Sequence, residues 1–411
     1  MSLKQTDPSI FGLIEEEAEY QKKTLRIIAS ENYASKAVME ATGSILTNKY
    51  AEGYPGKRYY AGNKFVDEIE TLAIERAKKL FKVGHANVQP HSGSSANIAA
   101  FFSFLEAGDK FMGLDLPHGG HLTHGSPVNF SGKWFKACSY TVDKETEALD
   151  YDAIRKRAIE EKPKLIICGY TAYPLVIDFR QFRSICDEVG AVLMADISHF
   201  AGLVAGGAYP SPAPYADVIT TTTHKTLRGP RGAMILCPEA NAKQVDKGVF
   251  PGTQGGPLEN VIAAKAVCFH EAMQPAFKQY AAQVVKNAKV LAEEFASLGL
   301  RLVAGGTESH LVLVDLTPKG ITGRDAQAAL EEAGIITNRN TIPNDTRSPF
   351  VTSGLRAGTA ALTTRGMREG EMEHLASLMV KVIENPNDSE LKLKVRGEVE
   401  TLCERFPIYR D

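Results

Sequence analysis

The sequence predicts an α/β protein built on a mostly parallel sheet with helices on both faces. Short apolar runs at 164–168, 191–195 and 217–220 alternate with segments of helical period at 151–160 and 179–189. Continuous apolar strands separated by helices of this length are buried on both faces and joined by crossovers. Polar residues then stand just past the predicted strand ends: Thr171, Asp196, His199 and Lys225. Ligands of such sheets bind outside the carboxyl ends of the strands, so one crevice can collect all four.

Taken in order, residues 9–26 read as an amphipathic helix, with Ile10, Leu13, Ile14, Ala18 and Leu25 against an acidic face. Asn32 and Ser35, in the polar interruption that follows, read as caps of the next helix. Residues 50–62 fit neither period. They hold four tyrosines, several breakers and a single carboxylate, Glu52. So many rings in a loop suit a pocket or an interface, and Glu52 is a candidate proton carrier. A helix is expected from Asp67 through Leu80. Ser92-Gly93-Ser94-Ser95 precedes an apolar helix at 96–105, where free N–H groups and hydroxyls can cradle a phosphate or merely cap the helix. A strand is expected at 108–115. The glycine-rich loop beyond it carries His118, His121 and His124 with only Asp115 nearby, which favours an imidazole stacked on a planar ligand over a metal site.

Asp196 directly follows an apolar strand, where a carboxylate is costly unless it meets a ligand's ring nitrogen or caps the next turn. The segment DVITTTTHKTLRGPRG places Lys225 among hydroxyls and beside His224. An amine held there and partly deprotonated suits a Schiff base with a carbonyl, against the plainer alternative of a solvated lysine beside a turn. Residues 248–260 read as a glycine-rich loop leading into a helix at 261–277, and a further helix at 277–298 bridges out of the main domain. A strand at 310–316, a helix at 323–333, an extended piece at 336–343 and helices at 369–380 and 391–405 follow. Arg356, between a Ser-Gly turn and a predicted helix, either presents a planar fork to a carboxylate or buttresses the turn. Three parts result: an arm at 1–26, a large domain at 27–280 and a small domain at 281–411.

A chain of 411 residues can bury more than one core. Its net charge of -2 gives no expectation of nucleic-acid binding. The six cysteines form no CxxC pair and lie mostly in apolar runs, as small core residues of a reducing compartment. Neither a signal-peptide core nor a membrane-length apolar run is evident, so a cytoplasmic protein without a membrane partner is expected.

The motifs IIASENYAS, NKYAEGYPGKRYY, HSGSSAN, HGGHLTHG, ADISHFAGL, TTTTHKTLRGPRG, FPGTQGGP and SGLRAGT resemble, in order and over nearly the whole length, those of the serine hydroxymethyltransferases, bacterial type. The resemblance implies a pyridoxal 5'-phosphate enzyme of fold type I, aspartate-aminotransferase-like, with a seven-stranded sheet and a smaller C-terminal α+β domain. It implies reversible transfer of the serine hydroxymethyl group to tetrahydrofolate, giving glycine and 5,10-methylenetetrahydrofolate, with folate-independent cleavage of β-hydroxy amino acids as a side activity. By the same resemblance Lys225 forms the Schiff base, with His224 and Thr222 beside it. Asp196 meets the pyridine nitrogen, His121 stacks on the ring, and Thr171 and His199 surround its phenolic oxygen. Gly93 and Ser94 hold the phosphate, together with Tyr50, Gly255 and Gly256 of a second subunit. Ser30, Tyr60 and Arg356 take the substrate carboxylate, and Glu52 acts as acid and base from the second subunit. Leu116, Gly120, His121, Leu122, Ser348, Pro349 and Phe350 meet folate, as Glu52 does. An obligate homodimer with shared sites follows, the tetramer being left open. Arg228 stands where relatives more usually carry alanine or serine.

Overall fold

The alternation expected between residues 151 and 220 forms the centre of a seven-stranded sheet in the computed structural model, which describes residues 2–409. Its strands are β1 (His85–Asn87), β2 (Lys110–Leu114), β3 (Lys136–Tyr140), β4 (Leu165–Cys168), β5 (Val192–Asp196), β6 (Val218–Thr222) and β7 (Ala233–Cys237). Their spatial order is β1-β7-β6-β5-β4-β2-β3. The pairs from β6 through β3 are parallel, while β7 runs antiparallel to both β1 and β6. One reversed strand therefore sits in an otherwise codirectional sheet. Every residue of β4, β6 and β7 is buried, as a strand covered on both faces requires. The edge strand β3 is mostly exposed.

The crossover helices are fixed by their ends. Asp150 and Asp178 accept backbone N–H bonds at the starts of Tyr151–Glu161 and Phe179–Val189. Gly190, in the left-handed region at φ 69°, ends the second. Phe182, Ile185 and Cys186 of that helix join the apolar cluster that also contains Ile166, Leu193 and Ile219.

A second sheet, of order β8-β9-β11-β10, is formed by β8 (Arg301–Leu302), β9 (Leu311–Asp315), β10 (Asn338–Asn340) and β11 (Gly354–Gly358). It has a separate core around Val312, Leu330, Leu355, Leu375 and Met379. Leu25 and Ile27 belong to this core, because Leu25–Arg26 pairs in parallel with Ile335–Ile336. Leu25 thus leaves the helix expected at 9–26, which ends at Lys23. The expected boundary at 280/281 falls inside one continuous helix, Pro275–Ser297. Phe277, Tyr280 and Val284 pack into the large core, and Leu291 and Phe295 into the small one.

The N-terminal helix Pro8–Lys23 buries no residue, and Ile10, Leu13 and Ile14 are exposed. Arg365 ties it down, donating to the carbonyls of Lys22 and Thr24 at 3.0 Å and of Phe406 at 2.7 Å. One guanidinium thereby serves the orphan carbonyls at two helix ends. Residues 1, 410 and 411 of the expected arm and small domain lie outside the described residues.

Three expectations need correction. Gly248 and Val249 belong to the helix Ala242–Val249, so the loop starts later than residue 248. Pro275 opens a new helix, so the one expected at 261–277 runs from Glu259 to Ala272. Arg356 lies on β11, paired with Leu313 and Asn338, and does not follow a turn directly. Among the described residues, no helix is long and apolar enough to cross a membrane.

Candidate active site

Threonines 220 to 223 are all buried, and the hydroxyls of Thr221, Thr222 and Thr223 hold backbone carbonyls. Thr222 donates from Oγ1 to the Ser198 carbonyl at 3.2 Å, and its N–H donates to Ser198 Oγ at 3.1 Å. Thr223 Oγ1 donates to the Pro230 carbonyl at 2.6 Å, closing the glycine-rich turn. Ser35 alone caps the next helix, Lys36–Thr42, whereas Asn32, expected as a cap, instead donates from Nδ2 to the Lys225 carbonyl at 3.0 Å and grips the lysine. Burial pushes the Lys225 ammonium down to about 8. Asp196 opposes that shift, and Arg356 and Arg231 reinforce it. A useful share of free amine is therefore present near neutral pH.

Asp196, at the end of β5, caps the turn that follows, one of the two readings open for it. Oδ1 accepts the Ser198 N–H at 3.0 Å. Oδ2 accepts from Asn97 Nδ2 at 2.9 Å and from His124 Nε2 at 3.2 Å. Burial alone would raise its pKa, but the His124 bond, the neighbouring imidazoles and Asn97 hold the carboxyl well below the usual range. Oδ1 retains lone-pair capacity for one more donor.

His121 is pushed down to about 4, chiefly by burial and then by His124, so its ring is neutral near pH 7. Its Nδ1 contacts Thr123 Oγ1 at 2.7 Å. His199 is buried with Nδ1 3.3 Å from His310 Nε2, and burial drives its pKa well down. His224 is pushed down to about 3 by burial and the Arg231 charge.

Gly93 and Ser94 begin the helix Gly93–Phe104, which starts three residues before the expected 96, with Ser92 as its cap. A Cβ on Gly93 would stand 2.8 Å from Thr222 Cγ2, so only glycine lets this helix start lie against β6. Arg356 reaches in from the small domain. Nη1 donates to the Thr171 carbonyl at 2.8 Å and Nε to Asn338 Oδ1 at 3.2 Å. It is buried, lowered to about 10 by that burial, and has no carboxylate partner among the described residues. A buried guanidinium in this state fits an incoming anion.

These groups line one cleft of about 400 Å³, which brings together Ser30, Gly93, Ser94, His121, Thr171, Asp196, His199, Thr222, His224, Lys225 and Arg356. A larger hollow of about 760 Å³ adjoins it through Ser30, Glu31, His224 and Arg231. Among the described residues, no group of three or more His, Cys, Asp or Glu is arranged to hold a metal.

Tyr50, Glu52, Tyr60, Gly255 and Gly256 are absent from that lining and gather in a second cluster. Tyr50 Oη donates to Glu52 Oε1 at 2.9 Å, and the Tyr50 and Tyr60 rings meet edge-on at 5.1 Å. Cβ atoms on Gly255 and Gly256 would lie 3.0 Å from Glu52 Oε1 and 3.3 Å from the Tyr50 ring. Tyr50 and Tyr60 are at least half exposed. Leu116, Leu122 and Phe350 are exposed as well, and Ser348-Pro349 stands at the surface beside Phe350. Gly120 is buried, and the neighbouring Gly119 carbonyl accepts from Thr171 N at 2.8 Å, tying this loop to the cleft.

Sequence reasoning passed over Asn97, Ser198, Arg231 and His310. Asn97 carried a signal, as a lone amide inside the apolar stretch ANIAAFF. His310 carried none, because its partner lies 111 positions away.

The serine hydroxymethyltransferase family model matches residues 3–379. The chain belongs to that family. As a serine hydroxymethyltransferase it interconverts serine plus tetrahydrofolate with glycine plus 5,10-methylenetetrahydrofolate, and it uses pyridoxal 5'-phosphate. The cleft fits that cofactor: an amine of depressed pKa, a carboxylate with a spare lone pair, an open helix start and a flat neutral imidazole all face one space.

Proposed function

We propose that the 400 Å³ cleft is where this serine hydroxymethyltransferase works, with roles divided among its residues as follows. Lys225 holds the cofactor covalently, flanked by His224 and Thr222. Asp196 accepts the pyridine N–H, His121 covers the ring, and Thr171 and His199 flank its phenolic oxygen. Gly93 and Ser94 bind the phosphate at the helix start. Ser30 and Arg356 receive the serine carboxylate, the latter through its fork. When bound, pyridoxal phosphate supplies an electron sink for bond breaking at the substrate Cα. The residue that carries this reading is Arg356, a buried cation without an acidic partner among the described residues, in the same cleft as a buried amine and carboxylate.

We further infer that the site is completed by a second copy. Tyr50, Gly255 and Gly256 of the partner subunit would reach the phosphate, the partner subunit's Tyr60 the substrate carboxylate, and the partner subunit's Glu52 the serine hydroxyl and folate. Support comes from the second cluster, whose polar groups are poised at the surface of a chain whose own cleft lacks them. The exposed Ile10, Leu13 and Ile14 suit an arm laid on that partner. Leu116, Gly120, Leu122 and Ser348-Pro349-Phe350 would receive folate, with His121 and Glu52. Because these groups, His121 apart, lie outside the cleft lining, an amino acid can bind without folate. Slow folate-independent cleavage of β-hydroxy amino acids follows as a side activity. A reducing, cytoplasmic setting suits the six unpaired cysteines, and neither nucleic acid nor membrane is proposed as a partner.

Borohydride reduction of the holoprotein followed by peptide mapping tests the assignment of Lys225 directly. A pyridoxyl label on Lys225 is expected. A label on another lysine would overturn the assignment.

A further inference from the structure

Arg58 has no part in the roles assigned so far, yet its side chain is built around the backbone of Glu52. It lies on a two-stranded hairpin, Gly53–Tyr54 with Lys57–Arg58, directly opposite Gly53. Its side chain folds back beneath the hairpin and is only 4% exposed. Nη1 donates to the carbonyl of Ala51 at 2.8 Å and of Gly53 at 3.0 Å, the two residues that flank Glu52. The Glu52 carbonyl itself accepts the Tyr59 N–H at 3.0 Å. Three successive carbonyls are therefore held.

The guanidinium is fixed from its other side. Nε donates to Asp67 Oδ1 at 2.8 Å and Nη2 to Glu70 Oε2 at 2.6 Å. Gln89 Nε2 reinforces both ends, donating to the Gly53 carbonyl at 2.9 Å and to Glu70 Oε1 at 2.7 Å. Gly53 stands at φ 94°, and a Cβ there would lie 2.4 Å from the Lys57 carbonyl. The turn beside Glu52 thus has one backbone shape and little freedom to choose another. Above this frame Glu52 is partly exposed, and its carboxylate is hydrogen-bonded only to the Tyr50 hydroxyl among the described residues.

We propose that Arg58 is the positioning residue for Glu52, setting where its carboxylate stands for proton transfer. The inference rests on the acid–base role proposed for Glu52 above. A planar fork is needed because two carbonyls and two hydrogen-bonded carboxylates, with Glu259 a third at 3.8 Å from Nη1, lie in different directions around one group. A lysine ammonium donates from a single point and cannot span Ala51 and Gly53 while holding Asp67 and Glu70. A displacement of about 1 Å at a reacting group costs on the order of 100-fold in rate.

The test is a double-mutant cycle on the dimeric holoenzyme using Arg58→Lys, Glu52→Gln and both together. Serine turnover with tetrahydrofolate is measured, and cofactor absorbance and thermal midpoint report folding. Arg58→Lys is expected to lower kcat by about 10- to 100-fold. In the double variant kcat should stay within about 3-fold of Glu52→Gln alone, because a positioning residue has nothing left to position. A purely structural arginine would give losses that multiply, and that result overturns the proposal. If Glu52→Gln alone keeps wild-type kcat, the acid–base reading falls first and takes the positioning role with it. Should Arg58→Lys fail to fold, Asp67→Ala removes one anchor at a carboxylate that is 27% exposed, and the same cycle decides.

Discussion

The placement of Glu52 outside the cleft that contains Lys225 can be tested by mixing two inactive proteins. Lys225→Ala removes the amine from one cleft, and Glu52→Gln removes the carboxylate that would serve the other subunit's cleft. In a hybrid dimer one site carries both defects, and the other draws Lys225 and Glu52 from the two unaltered positions. Random reassortment of equal amounts makes about half of all dimers hybrid, each with one intact site in two, so about a quarter of wild-type activity returns. The assay is folate-dependent conversion of serine to glycine after subunit exchange, with differently tagged chains to count hybrids. A matched control pairs Lys225→Ala with Arg356→Ala. Both side chains line the same cleft, so every hybrid site has one defect and nothing returns. Activity no higher than the sum of the two parents, with hybrids present, would refute the shared site.

Three other perturbations have defined outcomes. Asp196→Asn sets an amide among three converging donors, and serine turnover should fall by about 100-fold, or roughly 2.7 kcal/mol of transition-state stabilisation. Retention of more than about a third of turnover at full cofactor content would contradict the role given to this carboxylate. Arg228 sits at φ 62° with its guanidinium 4.6 Å from the Tyr280 ring centre and 5.6 Å from that of Phe277. Arg228→Ala should cost about 1–2 kcal/mol in denaturant unfolding, while Arg228→Gly regains about 1 kcal/mol from the relaxed backbone. Equal costs for the two would refute the backbone part. His224 and His310 are pushed down to about 3, mainly by burial, from an ordinary 6.5. Below about pH 6.5 the unfolded chain binds protons that the folded one refuses, so this stability is full above pH 6.5 and drains away as pH falls. At pH 5 the loss is about 2 kcal/mol per imidazole. Cofactor-free His310→Gln should therefore lose less stability than the parent between pH 7 and 5, and parallel slopes would refute the assignment.

The centre of the sheet was legible because β4 is a continuous apolar run, β5 is one up to Asp196, and β6 is β-branched throughout, each of the length that two-sided burial demands. Strand ends then placed Thr171, Asp196, His199 and Lys225 near one crevice, and the structure brings all four to it. The flanks were less legible for physical reasons. Edge strand β3 is Lys136-Ala137-Cys138-Ser139-Tyr140 and carries no alternation, because little of it is covered. Strand β1 has three residues, too few for any period. Gly248 looked like loop because glycine opposes helix, yet its missing side chain is what the packing needs: a Cβ there would collide with Ser103 Oγ. The contact of His199 with His310, the grip of Asn32 on Lys225 and the Arg58 clamp depend on neighbours brought together by tertiary folding, beyond the range of local patterns.

The pairing of Leu25–Arg26 with Ile335–Ile336 has a consequence for how the chain is made. Leu25 finds its strand partner 310 positions later, so at ribosomal speeds of about 5–20 residues per second it waits roughly 15–60 s. Through that interval Leu25 and Ile27, destined for the interior of the last domain to emerge, stay without their final neighbours. The large sheet, complete at Cys237, can form meanwhile, but the small core cannot close until nearly the whole chain has been synthesised. A nascent chain halted after residue 300 should therefore keep the segment from Leu25 to Ile27 open to proteases, and one released at full length, where Leu25 and Ile27 are buried, should not.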